Sequence, residues 1–159
     1  MQLVKLSLKN IWDIIHLQVT HDQEGFVAPN SYSVVEAFAA REDGYVALPF
    51  GLYEAGQPVG FLMIGYDSIG DEDEPAVTQN NYTIWRLMID ARFQGQGLGA
   101  RAMEAALDYI RTWPCGKADY CWISYDPQNT VAKTLYARMG FRENGEKDGD
   151  ETIAVLPLT

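Results

Sequence analysis

The feature that most constrains this chain is its centre, Met88-Ile89-Asp90-Ala91-Arg92-Phe93-Gln94-Gly95-Gln96-Gly97-Leu98-Gly99-Ala100, where a β-rich segment passes through a glycine-dense turn into a long amphipathic stretch. Such a turn aims several backbone N–H groups at one point, at the positive end of the helix that follows. It therefore builds an anion site suited to a pyrophosphate. The glycines have separate uses: one tolerates a positive φ in the turn, and another, lacking Cβ, lets a ligand approach the main chain. Other phosphate loops fit poorly. A Walker-type loop needs Lys followed by Ser or Thr, a pair the turn does not supply. A dinucleotide-binding Gly-x-Gly-x-x-Gly counted from Gly95 and Gly97 meets Ala100 at its third glycine position, and it sits in mid-chain rather than after a first strand. A glycine-rich connection with no ligand is the plainer alternative.

At 159 residues the chain suits one domain spanning 1–159, long enough to bury a sizeable core. Its hydrophobic fraction of 47% lies well above that of a disordered chain, so a folded globular protein is expected. The N-terminus lacks the apolar core of a signal peptide, and no apolar run approaches the roughly 18 residues of a membrane span. The reading is a cytoplasmic protein with no membrane partner. Cys115 and Cys121 are too few for a disulfide framework and lack the further ligands of a zinc site, so no metal is expected. The net charge of −10, from 22 acidic against 12 basic residues, argues against a nucleic-acid partner, which needs clustered Lys and Arg. It would draw in a cationic small molecule, although acidity also serves solubility alone. The densest charge run, Asp71-Glu72-Asp73-Glu74, reads as a solvated loop.

Val4 and Leu6 suggest a short first strand, followed by apolar residues at helical spacing from Asn10 to Leu17. Gln23 to Asn30 is broken by Gly25 and Pro29 and reads as a loop. Ser33-Val34-Val35-Glu36 has the form of a capping box, which would open a second helix running to about Glu42. Val46 to Tyr53 and Val59 to Tyr66, separated by Glu54-Ala55-Gly56-Gln57-Pro58, signal an antiparallel hairpin. A third apolar run, Tyr82 to Ile89, delivers the glycine turn. From Leu98, apolar Ala102, Met103, Ala106, Leu107 and Ile110 recur on one helical face until Pro114 stops it. Ala118 to Ser124 is a further strand. Asp126-Pro127 then resembles an N-cap and first helical residue, opening a helix that ends at Gly140. Phe141 onward and Thr152 to Leu156 form a closing hairpin around Lys147-Asp148-Gly149-Asp150.

Gln94, Gly97 and Gly99 fit the pattern Q/R-x-x-G-x-G/A of the GNAT superfamily of acyl-CoA-dependent N-acetyltransferases, which the chain resembles over nearly its whole length. Asn129 followed by Leu135-Tyr136-Ala137-Arg138-Met139-Gly140-Phe141 is similar to that superfamily's second block, N-(x)n-LYxxxGF. The resemblance implies an α/β fold with a mixed, largely antiparallel central sheet flanked by helices. Phe26-Val27-Ala28-Pro29-Asn30-Ser31, with Glu36-Ala37, Val59-Gly60-Phe61 and Met88-Ile89-Asp90, is further similar to bacterial spermine/spermidine acetyltransferases.

What the resemblance implies about chemistry follows residue by residue. Acetyl-CoA would be the co-substrate, its pantetheine arm beside Leu87, Met88 and Ile89 and its pyrophosphate on the backbone of Gln94, Gly95, Gln96, Gly97, Leu98, Gly99 and Ala100. Asn129 matches the position that hydrogen-bonds the arm, and it can serve as a plain helix cap as well. Tyr136 matches the proton donor to the departing thiolate; otherwise it is a core aromatic. A phenol with reference pKa near 10 keeps its proton at neutral pH. The strand before the turn carries no carboxylate, so the base is open and ordered water can serve; His16 and His21 lie far upstream. Glu24, Glu36 and Glu54 are the candidates for binding a polyamine, with Tyr32, Tyr53 and Trp85 offering aromatic faces to its ammonium groups. Each carboxylate alone also reads as a solvated residue, and Glu36 already has the capping-box explanation. A homodimer is expected from the resemblance only. Three readings stay open: a polyamine acetyltransferase, an acetyltransferase of another amine (aminoglycoside, amino acid or protein amine), and a non-catalytic acyl-CoA-binding module.

Overall fold

Alternating apolar strands and amphipathic helices produce a sheet with helices on both faces. The computed structural model describes residues 1–68 and 74–159. Asp71, Glu72 and Asp73 of the acidic run therefore lie outside the described residues. The elements run β1 (Gln2–Lys5), α1 (Ile11–Ile15), α2 (Asn30–Glu42), β2 (Val46–Glu54), β3 (Gln57–Tyr66), β4 (Tyr82–Ile89), α3 (Leu98–Ile110), β5 (Tyr120–Tyr125), α4 (Thr130–Arg138), β6 (Arg142–Asp148) and β7 (Glu151–Pro157), with short 3-10 turns between some of them. Among the described residues the strands form one seven-stranded sheet in the order β1-β2-β3-β4-β5-β7-β6. Every pairing is antiparallel except that of β4 with β5.

Two hydrophobic clusters cover the two faces. On one side α3 buries Leu98, Ala102, Met103, Ala106, Leu107 and Ile110 against Leu62, Ile64, Ile84 and Ile123 of the sheet. Burying each large aliphatic side chain contributes about 1.5–3 kcal/mol, so this one face anchors the helix firmly. On the other side Ile14 of α1 and Ala37 of α2 pack with Phe61, Met63 and Met88. Gly60 lets β3 lie close to β4, since a Cβ there would strike the Met88 carbonyl oxygen.

Two helix starts differ from those the sequence suggests, α2 by four residues and α4 by three. α2 begins at Asn30 with Pro29 as its N-cap (φ −53, ψ 146). Proline's fixed φ and missing N–H suit the start of a helix, and the buried Asn30 side chain donates to the Ile14 carbonyl at 2.9 Å. Ser33 consequently lies inside the first turn, buried, with its Oγ unpartnered among the described residues; it forms no capping box. α4 begins at Thr130 rather than after Asp126, because the Asp126 carboxylate accepts from the Gln128 N–H (2.8 Å) in a local turn. The cap is Asn129, whose Oδ1 accepts from the Ala132 N–H at 3.2 Å.

The sheet opens at its centre. β4 and β5 pair only at Tyr82 with Cys121 and at Thr83 with Trp122. Beyond Thr83, β4 stays bound to β3 while β5 follows β7 up to Tyr125. The register of β3 on β4 slips between Met63 and Ile64, leaving Trp85 as an extra residue in β4, and such a bulge bends and twists its strand away from one neighbour. The edge of β4 that faces β5 is therefore unpaired from Ile84 to Ile89, in the interior of the sheet.

Candidate active site

The glycine turn takes its shape from two positive φ angles and from one buried acid. Gly95 (φ 75) and Gly97 (φ 74) are left-handed, and an added Cβ at either would meet nothing within 4 Å, so both border open space. Gly97 is also the N-cap of α3, with no side chain capping it. The first intrahelical bond runs from the Arg101 N–H to the Gly97 carbonyl, which leaves the preceding N–H groups of the helix without intrahelical acceptors. Elsewhere in the fold, Gly140 (φ 98) closes α4 and returns the chain through Phe141 to the sheet.

Asp90, which the sequence reading passed over, holds the turn in place. Its carboxylate accepts from the Gln18 N–H (3.0 Å), the Arg92 N–H (3.0 Å) and Arg92 Nε (2.8 Å). Burial works to raise the Asp90 pKa, but these hydrogen bonds together outweigh it and hold the group below its ordinary 3.8. A carboxyl depressed in the folded state stabilises fully above its unfolded pKa, and that contribution is lost as pH falls through the folded value. Asp90→Asn should therefore cost about 1–3 kcal/mol at pH 7, because the Asn amide cannot accept from all three donors. Urea unfolding at pH 7 and at pH 3 checks this: the gap between wild type and variant should narrow on acidification.

Gln94 also acts inside the protein. Its Nε2 donates to the Ile89 carbonyl (2.9 Å) and to Gln23 Oε1 (2.8 Å), and Gln23 Nε2 donates back to Gln94 Oε1 (3.1 Å). The side chain staples the turn to the end of β4 and to the segment before α2.

Around this turn lies a cleft of about 590 Å³. Leu87, Met88, Ile89, Gln94, Gly95, Gly97, Leu98, Gly99, Asn129, Tyr136 and Glu24 all line it, so the fold gathers most of the residues expected at the site. Gln96 and Ala100 are part of the turn without lining the cleft. Phe26, Val27 and Ala28 form a further wall, and Trp85, Arg86, Ser124 and Glu151 line its side at the β4–β5 opening.

Tyr136 is half-buried, with its ring 5.7 Å from Tyr125 and 6.1 Å from Phe141, centroid to centroid. Burial pushes its phenol up to about 12, and the nearby Glu151 carboxylate adds to the shift. The hydroxyl therefore retains its proton well above neutral pH. Tyr125, also pushed up to about 12 by burial, donates to Glu143 Oε1 at 2.8 Å.

The three candidate carboxylates do not converge. Glu24 borders the cleft, exposed and 3.3 Å from His21 Nδ1. Glu36 is ion-paired to Arg86 at 2.8 Å, its helix having started four residues too early for a capping box. Glu54 does not line the cleft: it bridges Arg101 (2.9 Å) and the amine of Met1 (3.3 Å). These cations hold Glu54 below the ordinary carboxylate value against burial, which works the other way. Glu151 was missed because a carboxylate flanking a hairpin turn carries no local sign of facing a cleft. Among the described residues no cluster of His, Cys, Asp and Glu is arranged to hold a metal ion, and no helix is long and apolar enough to cross a membrane.

Comparison with known proteins agrees with this geometry. Residues 11–141 match the Acetyltransferase (GNAT) family. The chain is 31% identical over 164 residues to a spermine/spermidine N(1)-acetyltransferase of Bacillus subtilis (strain 168), covering 98% of this chain and all of the relative. Its fold is similar to an aminoglycoside acetyltransferase, AAC(6')-Ib, solved in complex with coenzyme A (TM-score 0.77, 15% identity, 98% of this chain and 94% of that one). It is likewise similar to the PaiA N-acetyltransferase of Thermoplasma acidophilum in complex with coenzyme A (TM-score 0.67, 14% identity, 98% of this chain and 98% of that one).

Proposed function

Because the chain belongs to the Acetyltransferase (GNAT) family, we propose that it transfers the acetyl group of acetyl-CoA to a primary amine of a polyamine such as spermine or spermidine, by direct attack of the uncharged amine. The observation that carries the reading is the meeting of three features in one cleft: an uncapped helix N-terminus, an unpaired strand edge and a half-buried tyrosine. The residues present fit the co-substrate. Open space at Gly95 and Gly97 leaves room for a pyrophosphate beside the main chain, and the unpaired edge of β4 offers hydrogen-bonding groups to an amide-bearing arm.

Acetyl-CoA, when bound, supplies the acetyl group as a thioester. The turn from Gln94 to Ala100 binds the pyrophosphate through the backbone N–H groups at the start of α3, and Leu87 to Ile89 orient the arm. Asn129, its side chain committed to the cap of α4, contributes by holding that helix against the cleft. Tyr136 keeps a proton available for the leaving sulfur, and the apolar wall of Phe26 and Val27 limits water. The polyamine assignment is supported by the similarity to the Bacillus subtilis enzyme and by the net charge of −10.

A panel of amines assayed for CoA release tests the assignment. Spermine and spermidine should turn over, with activity climbing from pH 7 toward pH 9 as more of the attacking amine loses its proton. Tyr136, at about 12, stays protonated across that range, so the climb reports the amine rather than the donor. The KM for spermine should rise with ionic strength, because exposed charge pairs of on the order of 1 kcal/mol each are screened, while that for acetyl-CoA changes less. Turnover of an aminoglycoside or a peptide amine with none of polyamines would replace the substrate assignment and keep the acetyltransferase.

A further inference from the structure

Tyr125 is a phenol that the chemistry above does not use. It ends β5, lines the cleft and is buried, yet its proton is already committed, since Oη donates to Glu143 Oε1 at 2.8 Å. The same carboxylate oxygen meets Nζ of Lys133 at 2.9 Å. Lys133 and Tyr136 are neighbours along one side of α4, at positions i and i+3, and the Tyr136 ring lies 5.7 Å from that of Tyr125, centroid to centroid. Lys133, Glu143, Tyr125 and Tyr136 therefore close a circuit of contacts that begins and ends on α4. We propose that Glu143 is a positioning residue: by bridging Lys133 of α4 to Tyr125 of β5, it fixes how the Tyr136 ring is presented to the cleft. The assignment rests on the reading of Tyr136 as proton donor.

Three observations carry it. First, α4 is lightly anchored. None of its residues is fully buried, and Leu135, Tyr136 and the following Met139 pack against the core only in part. With so little apolar area holding the helix, polar ties decide where it sits on the sheet. Arg142 holds its C-terminal end through the Ala137 carbonyl at 3.2 Å, and among the described residues Lys133 with Glu143 is its one ion pair. Second, the bridge crosses a strand. β7 lies between β5 and β6, and Glu143 stands opposite Ala154, whose side chain is too short to keep Tyr125 and Glu143 apart. Third, the charges favour a fixed phenol. Lys133 and Tyr125 hold the Glu143 carboxyl below its ordinary value, so it remains an acceptor at neutral pH, while burial and this carboxylate push the Tyr125 phenol up to about 12. A hydrogen bond to an ionised acceptor is roughly twice as strong as a neutral one, so Tyr125 keeps one orientation beside Tyr136. With its proton given to Glu143, Tyr125 is unsuited to act as donor; it holds the ring that does.

Steady-state kinetics of Tyr125→Phe and Glu143→Ala, each made in wild type and in Tyr136→Phe, test the assignment, with the best amine of the panel above as acceptor. In wild type each substitution should lower kcat about tenfold, the scale on which small misplacements of a reacting group act, and leave the KM for acetyl-CoA and for the amine within about twofold. The two together should lower kcat no further than either alone, since both break one bridge. In the Tyr136→Phe background neither should lower kcat again, because the group they orient is gone. A merely structural role would lower it in both backgrounds. Tyr125→Phe keeps the packed ring, so it tests the bridge even where Glu143→Ala loses stability. Fluorine NMR of the ligand-free protein gives a second readout. With fluorotyrosine incorporated, the Tyr136 line, identified by its disappearance in Tyr136→Phe, should be single and sharp in wild type and broadened or split in Glu143→Ala. A kcat within about twofold of wild type in both variants, an equal fall in the Tyr136→Phe background, or a Tyr136 line as sharp in Glu143→Ala as in wild type overturns the assignment and leaves Tyr136 as donor. Wild-type turnover by Tyr136→Phe itself overturns the donor reading and this assignment together.

Discussion

Replacing Tyr136 with Phe is expected to lower kcat on the order of 10²-fold while leaving the affinity for acetyl-CoA unchanged. The phenol is half-buried, with Tyr125 and Phe141 beside its ring, and Phe keeps that ring and its packing. Only the hydroxyl, and the proton it carries, is removed. Loss of one general acid is worth about this factor, and it falls on kcat because the donor acts as charge develops on the leaving sulfur. Stability should change little, since the ring contacts with Tyr125 and Phe141 are kept. A variant that turns over like wild type would make Tyr136 a packing residue and send the search for the donor elsewhere in the cleft.

Substitution of Gly97 should remove the stabilisation that acetyl-CoA confers. A ligand bound only by the folded state at about 100 times its Kd stabilises by about 2.7 kcal/mol, and for a chain of this size each kcal/mol moves Tm by about 2–4 °C. Wild type should therefore melt roughly 5–10 °C higher with acetyl-CoA, and show no comparable rise with NAD or ATP. The Cβ of Gly97→Val would meet no protein atom within 4 Å, so any loss of the rise reflects the ligand's space and not a packing clash. Valine at φ 74 adds a backbone cost of about 1–2 kcal/mol, which lowers the melting temperature of the ligand-free protein. Gly97→Asn separates the two effects, since Asn tolerates the left-handed region: it should melt near wild type without ligand and still lose the acetyl-CoA rise. Retention of the full rise in both variants would move the pyrophosphate off this turn.

Most of the architecture was legible in local pattern. The apolar spacing of α3, the hairpin around Gly56, the strand ahead of the turn and the closing hairpin around Gly149 all lie where period and turn chemistry put them. Helix starts were less legible, and for one reason: several residues near each start can cap. Ser33 and Asp126 have good capping chemistry, but the contact of Asn30 with Ile14 decides the start of α2 and a local turn at Asp126 that of α4.

The chain by itself determined the glycine turn and the helix that line one side of the cleft. An anion cradle of backbone N–H groups depends on local conformation, and local conformation is written in where glycine falls and where helix period begins, so Gln94 to Ala100 and the helix bearing Tyr136 could be named from the sequence. Tertiary structure alone decided which carboxylates are ion-paired within the protein. Whether a carboxylate is free or spent depends on which distant cation reaches it, and no spacing in the sequence brings Arg86 to Glu36 or Arg101 to Glu54. The same holds for Asp90, whose partners come from Gln18 as well as its own turn, and for Glu151, which the strand order carries from the end of the chain to the side of Tyr136. Side-chain charge acts through space over several ångströms, while sequence pattern reports only neighbours along the chain.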